Sequence, residues 1–185
     1  MEQVAALEAG LANTTRLVQG IAPEQWSNPT PCEKWTVREL VNHTAGVMKN
    51  FTNGANGKPP AGDPNDFELG ADPGATMIKL SAENVAAWRE RGELDSVIDL
   101  GQIEFPGAVA ININLLDSYV HGWDIAKATG QDAMLDPEVC TNLLEFAGQI
   151  VPATPREGDN FHAVVETADD ASPQDRLLAY LGRQP

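Results

Sequence analysis

The chain has 185 residues, 42% hydrophobic and 21% charged, a composition that excludes a disordered or fibrous protein and leaves room for one domain over residues 1–185. Twelve Lys and Arg stand against 27 Asp and Glu, and the net charge of −15 repels phosphate backbones and anionic membranes, so neither nucleic acid nor membrane is an expected partner. No apolar run approaches the roughly 20 residues that cross a bilayer, and the start of the chain lacks a signal-peptide pattern, so a cytoplasmic location is expected.

Val4, Leu7, Leu11, Leu17 and Val18 recur at nearly helical spacing and predict a first helix over 3–20, closed by Gly20. Residues 22–35 hold three prolines and two tryptophans and are expected to form an ordered connection that packs its rings. Thr36-Val37-Arg38-Glu39 reads as a capping box, in which hydroxyl and carboxylate satisfy unpaired N–H groups at the start of a helix running to about Phe51. The segment 53–72 is rich in glycine and other turn residues and is expected to be a mobile loop over one end of a bundle, a candidate lid.

Asp72-Pro73 is a cap followed by proline at the first helical position, opening a third helix to about Arg91. Residues 95–105, with Val97, Ile98, Leu100, Ile103 and Phe105, fit either a short extended segment or a closing loop. Pro106 opens the longest periodic stretch, through Val109, Ile113, Leu116, Val120 and Trp123 to a stop at Gly130. Asp136-Pro137 starts a helix to about Ile150, and Ser172-Pro173 starts a last one containing Leu177, Leu178 and Leu181; Ala163–Thr167 between them is expected as a short strand. Four principal helices with smaller additions argue for an all-α bundle whose site lies between facing helices.

Of three histidines, two fall on apolar helix faces. Leu40, His43 and Val47 share one stripe of the second helix; Ile113, Leu116, Asp117, Val120, His121 and Asp124 share one stripe of the long fourth helix. An ionised carboxylate turned inward costs several kcal/mol unless it is paired or bound to a cation. Asp117 and His121, four apart, can converge on one divalent ion, and His43 would complete a two-histidine, one-carboxylate set with open positions. Zinc suits these donors first, with nickel, iron(II), cobalt or manganese in range. The plainer alternative is a buried Asp117–His121 bridge beside a hydrogen-bonded core histidine.

The other candidates are read more plainly. Asn114 is taken as an interhelix polar contact, with support of a metal ligand as the alternative. Asp124 is a weak candidate for a general base, read first as a carboxylate on the helix surface or behind a ligand. Cys32 and Cys140 are too far apart for a CxxC pair and are expected as free thiols, Cys32 packed and not nucleophilic. Trp35 and Trp123 are expected as core anchors. His162 is expected at the surface, unless its segment carries it to the site. No phosphate-cradling loop, serine elbow or dinucleotide fingerprint is present.

Two blocks, Thr30-Pro31-Cys32-Glu33-Lys34-Trp35-Thr36-Val37-Arg38-Glu39-Leu40-Val41-Asn42-His43 and Asp117-Ser118-Tyr119-Val120-His121-Gly122-Trp123-Asp124-Ile125-Ala126, resemble the signature segments of actinobacterial metal-binding proteins. That group is similar to the metal-binding domain of mycothiol-dependent maleylpyruvate isomerase, within the DinB-like helix-bundle superfamily. The closing Gln174-Asp175-Arg176-Leu177-Leu178-Ala179-Tyr180-Leu181-Gly182-Arg183 resembles the same group, so the likeness spans nearly the whole chain. The resemblance implies an antiparallel DinB-like four-helix bundle holding a metal through His43, Asp117 and His121. The isomerase has glutamate at the acidic position, so the shorter Asp117 is expected to alter ion geometry or to bind through water. The isomerase also carries a further C-terminal domain for which this chain leaves no room, so isomerase activity itself is not carried over.

What the resemblance does imply is thiol activation. A metal stabilises the thiolate of a small thiol such as mycothiol, which attacks an electrophilic small-molecule substrate in a transfer or isomerisation. A metal-activated-water hydrolase or lyase, and a non-catalytic metal-dependent binding or stress-response module, are the other readings. The protein is expected to act as a monomer or homodimer.

Overall fold

The computed structural model describes residues 2–101, 103–151 and 161–185. Part of the loop expected before His162, residues 158–160, lies outside the described residues. The chain divides into two compact units, Met1–Ala133 and Met134–Pro185.

The first unit is a four-helix bundle of α1 (Glu2–Gln19), α2 (Val37–Ala55), α3 (Pro73–Arg91) and α4 (Gly107–Thr129), in which α1 packs on α3 and α4, and α2 on the same two. Consecutive helices α1 and α2 therefore sit on a diagonal, and the connection between them must cross the bundle end. Contacts set the directions. Glu8 pairs with Arg89, and Gln19 approaches Gly74, so α1 and α3 run antiparallel. Asn84 reaches Met48, and Arg91 reaches Ala55, so α2 and α3 run parallel. Thr14 meets Ser118, and Leu17 accepts from Gln131, so α1 and α4 run parallel as well. The pair that carries the candidate ligands, α2 and α4, is antiparallel.

The helix starts follow the sequence signals. Glu39 accepts from the Thr36 N–H at 2.8 Å and the Thr36 hydroxyl accepts from the Glu39 N–H at 3.4 Å, the reciprocal capping box, and α2 continues past Phe51 to Ala55. Asp72 caps α3 by accepting from Ala75, with Pro73 at the first helical position. Pro106 is itself the residue before α4, and Gly130 ends that helix in the left-handed conformation at φ 70°. Both faces of α4 are covered, with Ile111, Leu115, Tyr119, Trp123 and Ile125 all buried, while Leu7, Leu11, Leu17, Leu40, Met48, Met77 and Trp88 fill the interior from the other helices.

The undecided stretch 95–105 forms a small antiparallel hairpin, β1 (Val97–Asp99) on β2 (Glu104–Pro106), with Ile98 opposite Phe105. Ile98 turns inward and is fully buried, whereas Val97 and Ile103 face out. The period-two alternation is thus present, but over too few residues to stand out in the sequence.

The expected mobile loop is fastened along α2. Asn50 donates to the Gly62 carbonyl and accepts from the Ala61 N–H, Asn53 donates to the Pro59 carbonyl, and Asn42 accepts from the Leu69 N–H. A tight turn, Pro64–Asp66, rests directly on α2 because Gly46 has no side chain; a Cβ there would lie 2.4 Å from the Pro64 carbonyl oxygen. Side chains regularly spaced on the helix thus hold a segment that composition alone marks as free.

The second unit pairs α5 (Pro137–Ile150) with α6 (Pro173–Tyr180), burying Cys140, Leu143 and Ala147 with Leu177 and Leu178. Burial, with the Asp136 charge behind it, pushes the Cys140 thiol up to about 12 and leaves it inert. Ala163–Thr167 does not form the expected strand. Among the described residues its neighbour is a helix end, which offers one backbone bond, Val165 N–H to the Ala179 carbonyl, and no ladder. His162 is exposed and lies against Gly182 of the same unit.

Candidate metal centre

Two helices and two connections build the site. His43 projects from α2, and Asp117 and His121 from α4 one turn apart. Asp117 Oδ1 lies 3.7 Å from His43 Nε2 and 3.5 Å from His121 Nε2, and the three donor atoms fall within 4.8 Å of one another. These separations exceed hydrogen-bond lengths. They approach the roughly 3.3 Å that a tetrahedral ion imposes on nitrogen and oxygen donors bound at about 2.0–2.1 Å. The side chains are 16%, 18% and 12% exposed, shielded yet reachable by a small molecule.

The rings cannot turn away, because each is held by its other nitrogen. His43 Nδ1–H donates to Asn65 Oδ1 at 2.8 Å. The amide is oriented in turn, since Asn65 Nδ2–H donates to Asp63 Oδ1 at 2.9 Å. His121 Nδ1–H donates to Asp124 Oδ2 at 3.0 Å, and the Asp124 carboxylate is completely buried. With both Nδ1 atoms carrying protons, both Nε2 lone pairs point at the Asp117 carboxylate. Three electron-rich atoms facing one point could be satisfied by a metal ion or by a proton between them. In the metal-free protein a proton answers part of that need. Burial opposes charge on His43, but the Asp117 carboxylate, with Asn65 and Asp63 behind it, outweighs burial and holds the imidazole above its ordinary value.

The connection before α2 supplies a wall. Thr30 N–H donates to the Trp35 carbonyl, Trp35 N–H to the Cys32 carbonyl at 2.8 Å, and the Thr30 hydroxyl to the Trp35 carbonyl at 2.8 Å, winding Thr30–Trp35 into a tight loop. Asn28 and Gln25 tie this connection to the end of α4 by donating to the Ala128 and Thr129 carbonyls. The loop places the Trp35 ring 4.4 Å from His43 and 6.1 Å from His121, centroid to centroid. It also brings the Cys32 thiol to Asp124 Oδ2 at 3.2 Å and within 3.9 Å of His121 Nδ1.

The structure therefore brings His43, Asp117 and His121 together, and the short Asp117 side chain faces both imidazoles. Asp124 is a buried partner of His121 and not a surface group. Trp35 lines the histidines as well as anchoring the connection, whereas Trp123 is a buried anchor under Lys127. Asn114 is an interhelix contact, donating to Asn84 Oδ1 at 2.9 Å. Sequence reasoning missed Asn65, whose only signal was its place in an Asp-Pro-Asn turn, and it missed Cys32 as a neighbour of the centre. No local periodicity carries either, because each arrives from a connection.

Known proteins with this fold can be compared with that geometry. Residues 7–126 match the family model described as mycothiol maleylpyruvate isomerase N-terminal domain, a span that contains all three candidate ligands and their supports. Uncharacterized protein Rv0738 of Mycobacterium tuberculosis H37Rv is 32% identical over 170 residues, covering 90% of each chain. Uncharacterized protein MT0763 of the CDC 1551 strain matches to the same extent. Two crystal structures of mycothiol-dependent maleylpyruvate isomerase share the fold, at TM-scores of 0.63 for a histidine-to-alanine mutant and 0.60 for the enzyme without that substitution. Both are 16% identical, and the match covers 77% of this chain and 66% of the isomerase, so about a third of that enzyme lies outside it.

Proposed function

The chain belongs to the family of the mycothiol maleylpyruvate isomerase N-terminal domain, and from that premise we propose that it is a metal-dependent enzyme. His43, Asp117 and His121 hold one divalent ion, zinc first. A low-molecular-weight thiol of the mycothiol kind reacts there with a small electrophile, by transfer or isomerisation. One observation carries this reading: two imidazole lone pairs and a carboxylate oxygen are aimed at one point, with both rings locked by their outer nitrogens.

A divalent ion at that point supplies charge that holds a bound thiol as its thiolate at neutral pH. The chain's own residues do the rest. Asn65 and Asp124 fix the rings, Asp117 supplies the single negative charge of the set, and Trp35 shields one side from water. The sulfur has to come from outside. Cys32 donates its S–H to a buried carboxylate, beside which a thiolate would face like charge, and Cys140 is buried in the other unit. In transfer, the sulfur lone pair forms the carbon–sulfur bond while a leaving group departs with its bonding pair, or the π pair moves to the neighbouring atom and is protonated by solvent; the thiol proton goes to solvent. In isomerisation the same bond breaks again after rotation and the thiol is returned. A metal-water hydrolase would need a free base; Asp124 is buried behind His121 and already accepts from His121 and Cys32, which favours the thiol reading.

The test is elemental analysis of untagged protein, beside thiol-dependent consumption of an activated alkene with mycothiol as the thiol. Near-stoichiometric metal and turnover that requires both metal and thiol are expected, with both lost in His43→Ala and His121→Ala while helicity persists. Absence of metal after incubation with zinc, nickel, iron(II), cobalt and manganese would overturn the proposal, as would turnover independent of thiol.

A further inference from the structure

We infer that the electrophile is bound by its neutral, apolar body in a groove beside His43, and that this protein does not accept a dicarboxylate of the maleylpyruvate kind. The inference rests on the function just proposed and names the substrate class of the same site.

The groove, of about 560 Å³, lies where α2, the fastened connection and the hairpin meet, within the range of small-molecule sites. Val47 and Phe51 form its floor from α2, Pro60 and Pro64 one side, and Leu100 and Phe105 the other. Among the described residues His43, Asp117 and His121 do not themselves line it, but two features relate it to the metal centre. Val47 stands one helical turn after His43 on the same stripe. Asp63 and Pro64 line the groove, and Asp63 also accepts from the Asn65 amide that bonds His43.

Among the described residues the lining contains no basic side chain, and its one ionisable group is Asp63. Asn50, the main polar neighbour, gives one N–H to the Gly62 carbonyl and accepts from the Ala61 N–H, so the groove offers an incoming carboxylate a single amide N–H and no positive charge. Of the cations on the helices, Lys49 pairs with Glu83, Arg38 lies over the Trp26 ring and Arg91 donates to the Ala55 carbonyl, while the exposed Lys58, two residues before Pro60, is not part of the lining. A dianion would desolvate its charges against Asp63 and apolar walls, in a chain of net charge −15. A hydrocarbon or aryl body would instead cover surface such as Ile103, which lines the groove and is 56% exposed.

The zinc-loaded full chain can be titrated with the neutral fluorophore phenylnaphthylamine and the dye then displaced by an unreactive medium-chain methyl ketone or by maleate. Saturable dye binding is expected, displaced by the ketone at concentrations at least tenfold below those at which maleate acts. Ile103→Asp and Val47→Asp should each weaken dye and ketone binding fivefold or more, with zinc content and circular dichroism unchanged. Displacement by maleate at equal or lower concentration, no saturable dye binding, or unchanged affinity in both variants would overturn the inference. Because binding is read without thiol or turnover, its outcome is independent of the catalytic test: ligand binding without thiol-dependent turnover removes the proposed function and leaves the groove, and the reverse result does the opposite.

Discussion

Helix α4 turns two polar side chains inward one turn apart, Asn114 and Asp117, and their surroundings differ in kind. Asn114 donates to Asn84 Oδ1 at 2.9 Å, and Asn84 donates to the Met48 carbonyl at 3.0 Å and to the Thr52 hydroxyl at 3.1 Å. That network is neutral, fully buried and closed at hydrogen-bond distance. Around Asp117 the partners stand back at 3.5 and 3.7 Å, with lone pairs facing inward. The first cluster is complete as a protein interior; the second would be completed by the ion proposed for it. Length and direction of the contacts, more than residue type, separate a structural polar seam from a binding centre.

The comparison breaks most sharply under substitution. Asp117→Ala should abolish stoichiometric zinc, read by elemental analysis, and leave the helical signal intact, whereas Asn84→Leu should leave zinc bound. Asn84→Leu strands buried partners and should lower stability by about 1–3 kcal/mol for each group left unsatisfied, measured by denaturant unfolding. If Asn84→Leu loses metal as fully as Asp117→Ala, the two clusters are one network and the distinction fails. Asp124→Asn, which removes the charge that orients His121, should weaken zinc roughly 10–100-fold in a competition titration. Gly46→Ala forces Cβ toward the Pro64 carbonyl and should cost roughly 1–3 kcal/mol, with weaker zinc binding because Asn65 leaves His43.

The smallest effect is on pH. In the metal-free protein His43 is held above its ordinary value, so its contribution to stability is full below its unfolded value near 6.5 and is lost as pH rises through the higher folded value. Zinc must displace that proton, so apparent zinc affinity falls as pH drops through the same range. A metal-free protein whose stability rises across that window would remove His43 from the account. The Asn seam holds no titratable group and should contribute no such slope.

Much of the bundle was legible because the helix starts are written locally: the Thr36/Glu39 box and the Asp-Pro and Ser-Pro pairs each announce a cap within four residues. The stripe on α4 was equally legible, since helical period alone puts Asp117 and His121 on one face. What periodicity cannot show is which connection folds back on a helix. Asn65 and Cys32 reach the centre through Gly46 and the Thr30–Trp35 loop, and the segment 53–72 is held by asparagines that look like ordinary surface residues. Asp124 belonged to the visible stripe, but Cys32, which donates to it, arrives from the Thr30–Trp35 loop.

The diagonal placement of α1 and α2 bears on how the centre is assembled. His43 and His121 are separated by most of the first unit, with the hairpin and the whole of α3 between them. An ion shared by them, as proposed, would act as a crosslink closing a long loop and would restrict the unfolded ensemble much as a disulfide of that span does. Loading should then raise the free energy of unfolding of the bundle, so that resistance to proteolysis, compared between loaded and metal-free protein, becomes a measure of occupancy.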